Sequence, residues 1–359
     1  MAEADLYRRW RAFQAGERRA SVVQPPRSSA PRLFGVSVDL AGWETVPAGW
    51  RLLDLETSAL RGGFAFLAGV AAVRDGRLRI TQWVLGDLPG EAAFLRALAD
   101  ELDGAACLIT YNGRSFDWPL LRDRARLNGV APWPELPHRD LLHEARAVWG
   151  GRLGRVGLSE LERTLLGRPT RRDDPGGAAM PGLYRAYLAG EAGALDLALG
   201  HNAADLEALA VLAVRCRSLD LGQLGSEDPS DLLGLAGWRW RRGDRGGADA
   251  ALAAWLDAAP APSRSESLRG ATLCRRLGRW EQAATLWARA ADGPFGSVDA
   301  AIALAIHLER RRHDPAAALA VVETALARPW LSPARRERLA ARRERLRRRL
   351  GVRSSRTPA

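Results

Sequence analysis

The chain has 359 residues, 47% hydrophobic and 26% charged, an ordinary globular balance with material for two or three domains and buried cores. Its formal net charge of +11 points toward a polyanionic partner such as nucleic acid. Lysine is absent, however, and all 53 basic residues are arginine, a usage that a GC-rich genome also produces. Cys107, Cys216 and Cys274 are far apart, which excludes a paired zinc motif or disulfide framework and leaves buried thiols. No apolar run in the sequence is read as reaching the roughly 18 residues of a membrane helix, and residues 1–19 resemble neither a signal nor a transit peptide. A cytoplasmic location is the default expectation.

Residues 1–45 read as a partly irregular extension. Residues 24–31 (QPPRSSAP) break regular structure, whereas the apolar piece 33–40 is suited to an added strand. Residues 51–56 (RLLDLE) and 64–73 read as strands, and 78–85 (LRITQWVL) closes a hairpin at Asp75-Gly76. A helix is expected over 91–102, with Phe94, Leu95, Leu98 and Leu102 on one side. A buried strand over 106–111 follows, then a helix from about Trp118 to Leu127, and mostly helix to about 217. That order is an α/β layer, a mixed sheet flanked by helices. Gly150, Gly151, Gly154 and Gly157 match no phosphate-loop pattern and are expected to form a plain loop.

After about residue 225 strand signals vanish and self-similarity appears at a period near 34 residues. Gly243, Gly278 and Arg312 share a turn slot, with Ala248, Ala283 and Ala317 five residues further on. Small residues there let antiparallel helices approach closely. The pattern resembles tetratricopeptide helix pairs, although plain helical hairpins at an accidental period would look the same. Either is an all-α stack whose units depend on their neighbours. Residues 333–350 form an Arg-dense helix, read as a polar cap docked by its leucines or as a phosphate-contacting patch. Residues 351–359 are expected to be a disordered tail.

Acidic residues carry the chemical signal. Asp54 and Glu56 lie two apart in an apolar strand, so both emerge on one face, where burial is costly unless a cation offsets it. Two solvated acids at a strand end would read the same way. Residues 111–121 (YNGRSFDWPLL) run through an Asn-Gly turn to Phe116 and Asp117 at a helix start, where Asp117 could also serve as an N-cap. His201 and Asp205, four apart, share one helical face, though a lone histidine near a helix start is commonly a packing residue. Asp140 in HRDLLH sits at a strand-to-helix junction, a usual place for a cap.

Taken together, D-x-E, N-x-x-x-F-D and H-N-x-x-D resemble the DEDD superfamily of 3′–5′ exonucleases. More closely still, the chain resembles the ribonuclease-H-like predicted exonucleases often linked to tetratricopeptide repeats, through LDLETSAL, ITYNGRSFDWPLLRDR, HRDLLHEAR, GLSELERTLLG and HNAADLEALAVL. The likeness spans roughly residues 48–217. It implies a ribonuclease-H-like exonuclease domain over 46–220 and a helical repeat domain over 221–350. It further implies Asp54, Glu56, Asp117 and Asp205 as ligands of two Mg²⁺ or Mn²⁺ ions, which suit an oxygen-only donor set. His201 would be the general base, with Thr57, Asn112, Ser115 and Phe116 against the substrate. In the superfamily the histidine usually precedes the last aspartate by five residues; here the interval is four, so His201 could instead orient water or hold the helix. The expected activity is hydrolysis of single-stranded DNA or RNA, with a possible protein partner on the repeats and no membrane. The rival expectation is an inactive nuclease fold serving as an adaptor.

Overall fold

The computed structural model describes residues 46–59, 63–130, 133, 135–165, 171, 174–221, 228–259 and 261–351, together with the backbone strands of residues 21–22 and 33–41. Two compact units divide the chain: Met1–Arg146 with Leu153–Gly225, and Ala147–Arg152 with Ser226–Ala359.

The first unit is built on a mixed seven-stranded sheet: β1 (Ser21–Val22), β2 (Leu33–Ala41), β3 (Trp50–Thr57), β4 (Ala65–Arg74), β5 (Arg77–Leu85), β6 (Cys107–Thr110) and β7 (His138–Asp140). Their spatial order is β1-β2-β5-β4-β3-β6-β7. β3 lies between antiparallel β4 and parallel β6, while β7 is parallel to β6. Helices cover both faces, so β4 (AFLAGVAAVR) is apolar almost throughout rather than alternating. The β4–β5 turn places Asp75 (φ 53°) and Gly76 (φ 69°) in the left-handed region that such hairpins need.

On one face, α1 (Glu91–Leu102) and α2 (Asp117–Leu127) pack Phe94, Leu95, Leu98 and Leu121 against Leu53 and Leu55. On the other, α6 (Met180–Leu188) and α7 (Ala194–Asp220) pack Met180, Tyr184 and Ala198 against Phe66, Leu67 and Val84. Between these pairs come α3 (Leu141–Val148), α4 (Gly150–Leu153) and α5 (Leu158–Leu165).

Several sequence expectations change. The apolar piece of the N-terminal extension does form the added strand, over Leu33–Ala41 and paired residue by residue with β5, and what the sequence did not show is β1 on its outer edge. Residues 24–31 and 352–359, expected to be irregular, lie outside the described residues. The glycine run is not a plain loop: Gly150 and Gly151 lie in α4, and only Gly154 (φ 69°) among the four takes the left-handed conformation. Cys216 and Cys274 are buried, but Cys107, at the start of β6, is partly exposed. One helix, α7, is long and apolar enough to cross a membrane by length and composition, which the sequence reading had not anticipated. Half of its apolar window is buried in the protein, as in a core helix.

The second unit is all helical. α8 (Pro229–Arg241) pairs with α9 (Arg245–Ala258), α10 (Arg264–Arg276) with α11 (Trp280–Ala291), and α12 (Val298–Arg310) with α13 (Pro315–Leu326). α14 (Pro333–Arg349) follows. Left-handed residues turn each hairpin: Gly243, Gly278 and His313, at intervals of 35 residues in both steps. The third copy is therefore offset by one from the expected slot. His313 rather than Arg312 makes the turn, and Ala318 rather than Ala317 joins Ala248 and Ala283 in complete burial. The interval from Gly243 to Gly278, carried forward once more, falls on His313, so the third turn keeps the spacing of the first two although no glycine marks it. On α14, Arg342, Arg345 and Arg349 converge on Glu309, while Leu339 and Leu346 dock beside Val322 and Leu331. Those pairings match a docked polar cap better than a phosphate patch.

Candidate active site

Because side chains alternate along a strand, Leu53 and Leu55 enter the core beneath α1 and α2, and Asp54 and Glu56 face α7. Asn202 on α7, completely buried, donates from Nδ2 to Asp54 Oδ2 (2.8 Å) and to the Asp54 carbonyl (3.2 Å). Its Oδ1 accepts from Gln82 Nε2 (2.9 Å), which also donates to the Leu199 carbonyl (2.9 Å). Across the sheet, Asp54, Gly69 and Gln82 lie in register on β3, β4 and β5. Gly69 is required by close approach: a Cβ there would lie 3.0 Å from Asn202 Cγ and 2.5 Å from Leu206 Cδ1, with Asn202 Oδ1 nearer still. Thus one glycine lets α7 settle low enough for Asn202 to fix the Asp54 carboxylate.

Asp117 is delivered by the turn after β6. Asn112 is left-handed (φ 68°), and a side chain on Gly113 would strike Thr110. Asp140 holds this turn, its Oδ1 accepting from the Asn112 N–H (2.8 Å) and Leu142 N–H (3.1 Å), and its Oδ2 from the Arg114 N–H (3.0 Å). Asp140 is thereby an anchor for the turn and a cap for α3. The Trp118 N–H bonds the Gly113 carbonyl at 2.8 Å, starting α2 with Asp117 as its first residue.

The fourth acid, Asp205, lies one helical turn after His201 on α7. His201 Nδ1 is 2.5 Å from Asp174 Oδ1, and its Nε2 lies 3.7 Å from Glu56 Oε1 and 3.6 Å from Asp205 Oδ2. An ionised Asp174 can only accept, so Nδ1 carries the proton there and Nε2 faces the acids. Arg171 Nη1 bridges Asp205 Oδ1 (2.7 Å) and Asp174 Oδ2 (2.9 Å), and its Nη2 is 2.8 Å from Glu162.

Electrostatics ties these groups into one neighbourhood. Burial, then the charges of Glu56, Asp205 and Asp117, push Asp54 well above the usual carboxylate range. Burial, then Asp205, Asp117 and Asp174, push Glu56 up to about 9. Burial, with Asp140 adding, raises Asp117 to about 7. Asp174 moves the other way: burial opposes ionisation, but the Gly176 N–H, His201 and Arg171 outweigh it. Among the described residues, no three carboxylate, imidazole or thiol groups are drawn together at ion-ligating spacing. Asp54, Glu56 and Asp117 nevertheless sit where burial and neighbouring negative charge, that of Asp205 included for the first two, disfavour their ionisation. A hard divalent cation is the group whose charge would offset this, and the all-oxygen donor set fits one.

The structure brings together Asp54, Glu56, Asp117, His201 and Asp205. Thr57 is turned locally, its Oγ1 donating to the Ala59 carbonyl (2.9 Å). Asn112 and Ser115 shape the turn before Asp117, and Phe116 stands 63% exposed beside it. Sequence reasoning missed Asn202, Gln82, Gly69, Asp174 and Arg171. Asn202 lay inside the quoted H-N-x-x-D stretch and an acidic cluster marked the segment of Asp174, but no spacing in the sequence links Gln82 or Gly69 to Asp54.

A family model of the RNase_H superfamily matches residues 52–217, a range that includes all five of these residues. The uncharacterized protein YprB of Bacillus subtilis (strain 168) is 30% identical over 282 residues, covering 76% of this chain and 68% of that protein.

Proposed function

Because the chain belongs to the RNase_H superfamily, we propose that it is a metal-dependent nuclease, acting as a 3′–5′ exonuclease on single-stranded DNA or RNA. The observation that carries this reading is the shared burial and mutual repulsion of Asp54, Glu56 and Asp117 close to Asp205. Two Mg²⁺ or Mn²⁺ ions held by these four carboxylates would supply charge neutralisation at the phosphate and activation of the attacking water. Asn202 fixes the rotamer of Asp54, and Asp174 orients His201 so that Nε2 can take the proton of that water. As the water oxygen bonds to phosphorus, the bond from phosphorus to the 3′ oxygen breaks, releasing a nucleoside 5′-monophosphate. Phe116, 63% exposed, would stack on a base, with Thr57, Asn112 and Ser115 as polar contacts. The helical unit, in this reading, is a tetratricopeptide-like array that binds nucleic acid or a protein.

A specific observation favours the rival reading of an inactive adaptor. Arg171 already pairs with Asp205, placing an internal cation where divalent charge would otherwise act. Release of labelled mononucleotides from single-stranded DNA and RNA, with Mg²⁺, Mn²⁺ or chelator, separates the two. The enzyme reading expects metal-dependent release abolished by Asp205→Asn. Partner capture without turnover on either substrate supports the adaptor.

A further inference from the structure

The helical unit repeats more than its turn. Arg241, Arg276 and Arg311 each stand two residues before the left-handed turn residue, so one arginine slot recurs at 35-residue intervals through three hairpins. Arg269, two turns earlier on α10, joins this row near Arg241. Several arginines of this unit are matched: Arg279 to Asp249, Arg312 to Glu281, and Arg342 and Arg345 to Glu309. Arg241 and Arg276 have no ion pair or hydrogen-bond partner from their side chains among the described residues, and both are exposed. Arg269 is half-buried against Gly151 and attracted by Glu266, a carboxylate that also accepts from Ser230 (2.7 Å) and the Ser263 N–H (2.9 Å). Partial desolvation and the charges of Arg269 and Arg276 hold Arg241 below its usual value, so both neighbours repel it. Arg311 lies over the Trp280 ring at 3.5 Å. A fold gains nothing by grouping like charges, and a ligand that relieves the repulsion must be anionic.

Resting on the nuclease reading of the first unit, we propose that Arg241, Arg269 and Arg276, continued by Arg311, form a phosphate-binding ladder for the backbone of single-stranded nucleic acid. A guanidinium fork matches phosphate oxygens two at a time. An acidic peptide fits less well, because such segments dock through apolar anchors. Among the described residues, the large exposed apolar side chains of this unit are Phe295 and Trp330, and neither lies on α8 or α10.

The test is binding of a fluorescent single-stranded oligonucleotide to the full chain in chelator, followed by anisotropy across a salt series. Replacing Arg241, Arg269 and Arg276 together by alanine should weaken binding and reduce the slope of log K against log salt by about 2, since each phosphate contact contributes about 0.7. The thermal midpoint should stay level or rise, because repulsion is removed. The matching lysine triple should retain most of the slope. An unchanged slope in the folded alanine variant overturns the proposal, and so does a fall in its midpoint with the lysine variant binding no better. Arginine-dependent capture of polyglutamate without oligonucleotide binding also overturns it. The measurement needs no turnover: failure of the nuclease reading would appear as absent mononucleotide release with ladder binding intact.

Discussion

Gly69→Ala tests the packing that orients the first carboxylate. The added methyl would press on Asn202 and Leu206, lifting the side chain that holds Asp54. Overpacking of this kind costs about 1–3 kcal/mol, and each hydrogen bond lost from Asn202 about 1 kcal/mol. Removing a glycine from a strand returns up to about 1 kcal/mol. The net expectation is a loss of roughly 1–3 kcal/mol. At about 2–4 °C per kcal/mol for a domain of this size, the thermal midpoint should fall by roughly 2–12 °C. Nuclease activity should fall further than the loss of folded protein explains, because Asp54 is then free to rotate. Asn202→Ala should also destabilise, but with Gly69→Ala it relieves the Asn202 part of the clash and leaves the Leu206 part, so the double variant should show coupling of about 1 kcal/mol. Calorimetry or thermal melts of the four proteins give the cycle. A neutral Gly69→Ala, or two effects that simply add, would refute the account.

Asp117→Asn should eliminate metal-dependent release while keeping the fold, and in chelator at neutral pH its melt should hold or rise, since it removes a disfavoured charge but little volume; full cleavage by this variant would remove Asp117 from the chemistry. Stability should depend on pH in a definite sense. Glu56 and Asp117 are raised from 4.5 and 3.8 to about 9 and about 7, so the folded chain holds protons that the unfolded chain has released. Their penalty therefore appears as pH rises through the unfolded values and is complete above the folded ones, and melts in chelator should weaken from about pH 4 to 9. Stabilisation by Mn²⁺ should grow over the same range, and a flat response would contradict these protonation states. Asp174→Asn should lower kcat about 10- to 100-fold with little change in KM, because the carboxylate acts through the His201 ring. In the helical unit, Gly278→Ala should cost about 1–2 kcal/mol at φ 79°, and His313→Gly at φ 55° should stabilise by a similar amount.

Local pattern carried much of the architecture. The hairpin at Asp75-Gly76, the helix over Glu91–Leu102 and the arrival of Asp117 at a helix start all follow from turn chemistry and apolar period, which neighbouring residues determine by themselves. Asp54 and Glu56 could be picked out because charge inside an apolar strand is conspicuous, and Asp117 and Asp205 joined them only through the resemblance to a known family. Tertiary structure alone decided what surrounds them. Asp54 is held by Asn202 from 148 residues away, and Asn202 by Gln82 from 120 away. The need for Gly69 arises only when α7 rests on β4. In the third repeat the expected slot is one residue out because the turn residue is His313, which carries no glycine signal, although it keeps the 35-residue interval of the two glycines before it. Short-range propensity depends on a few residues and is written in order along the chain; burial, repulsion and close approach depend on distances that exist only after the sheet and helices have packed.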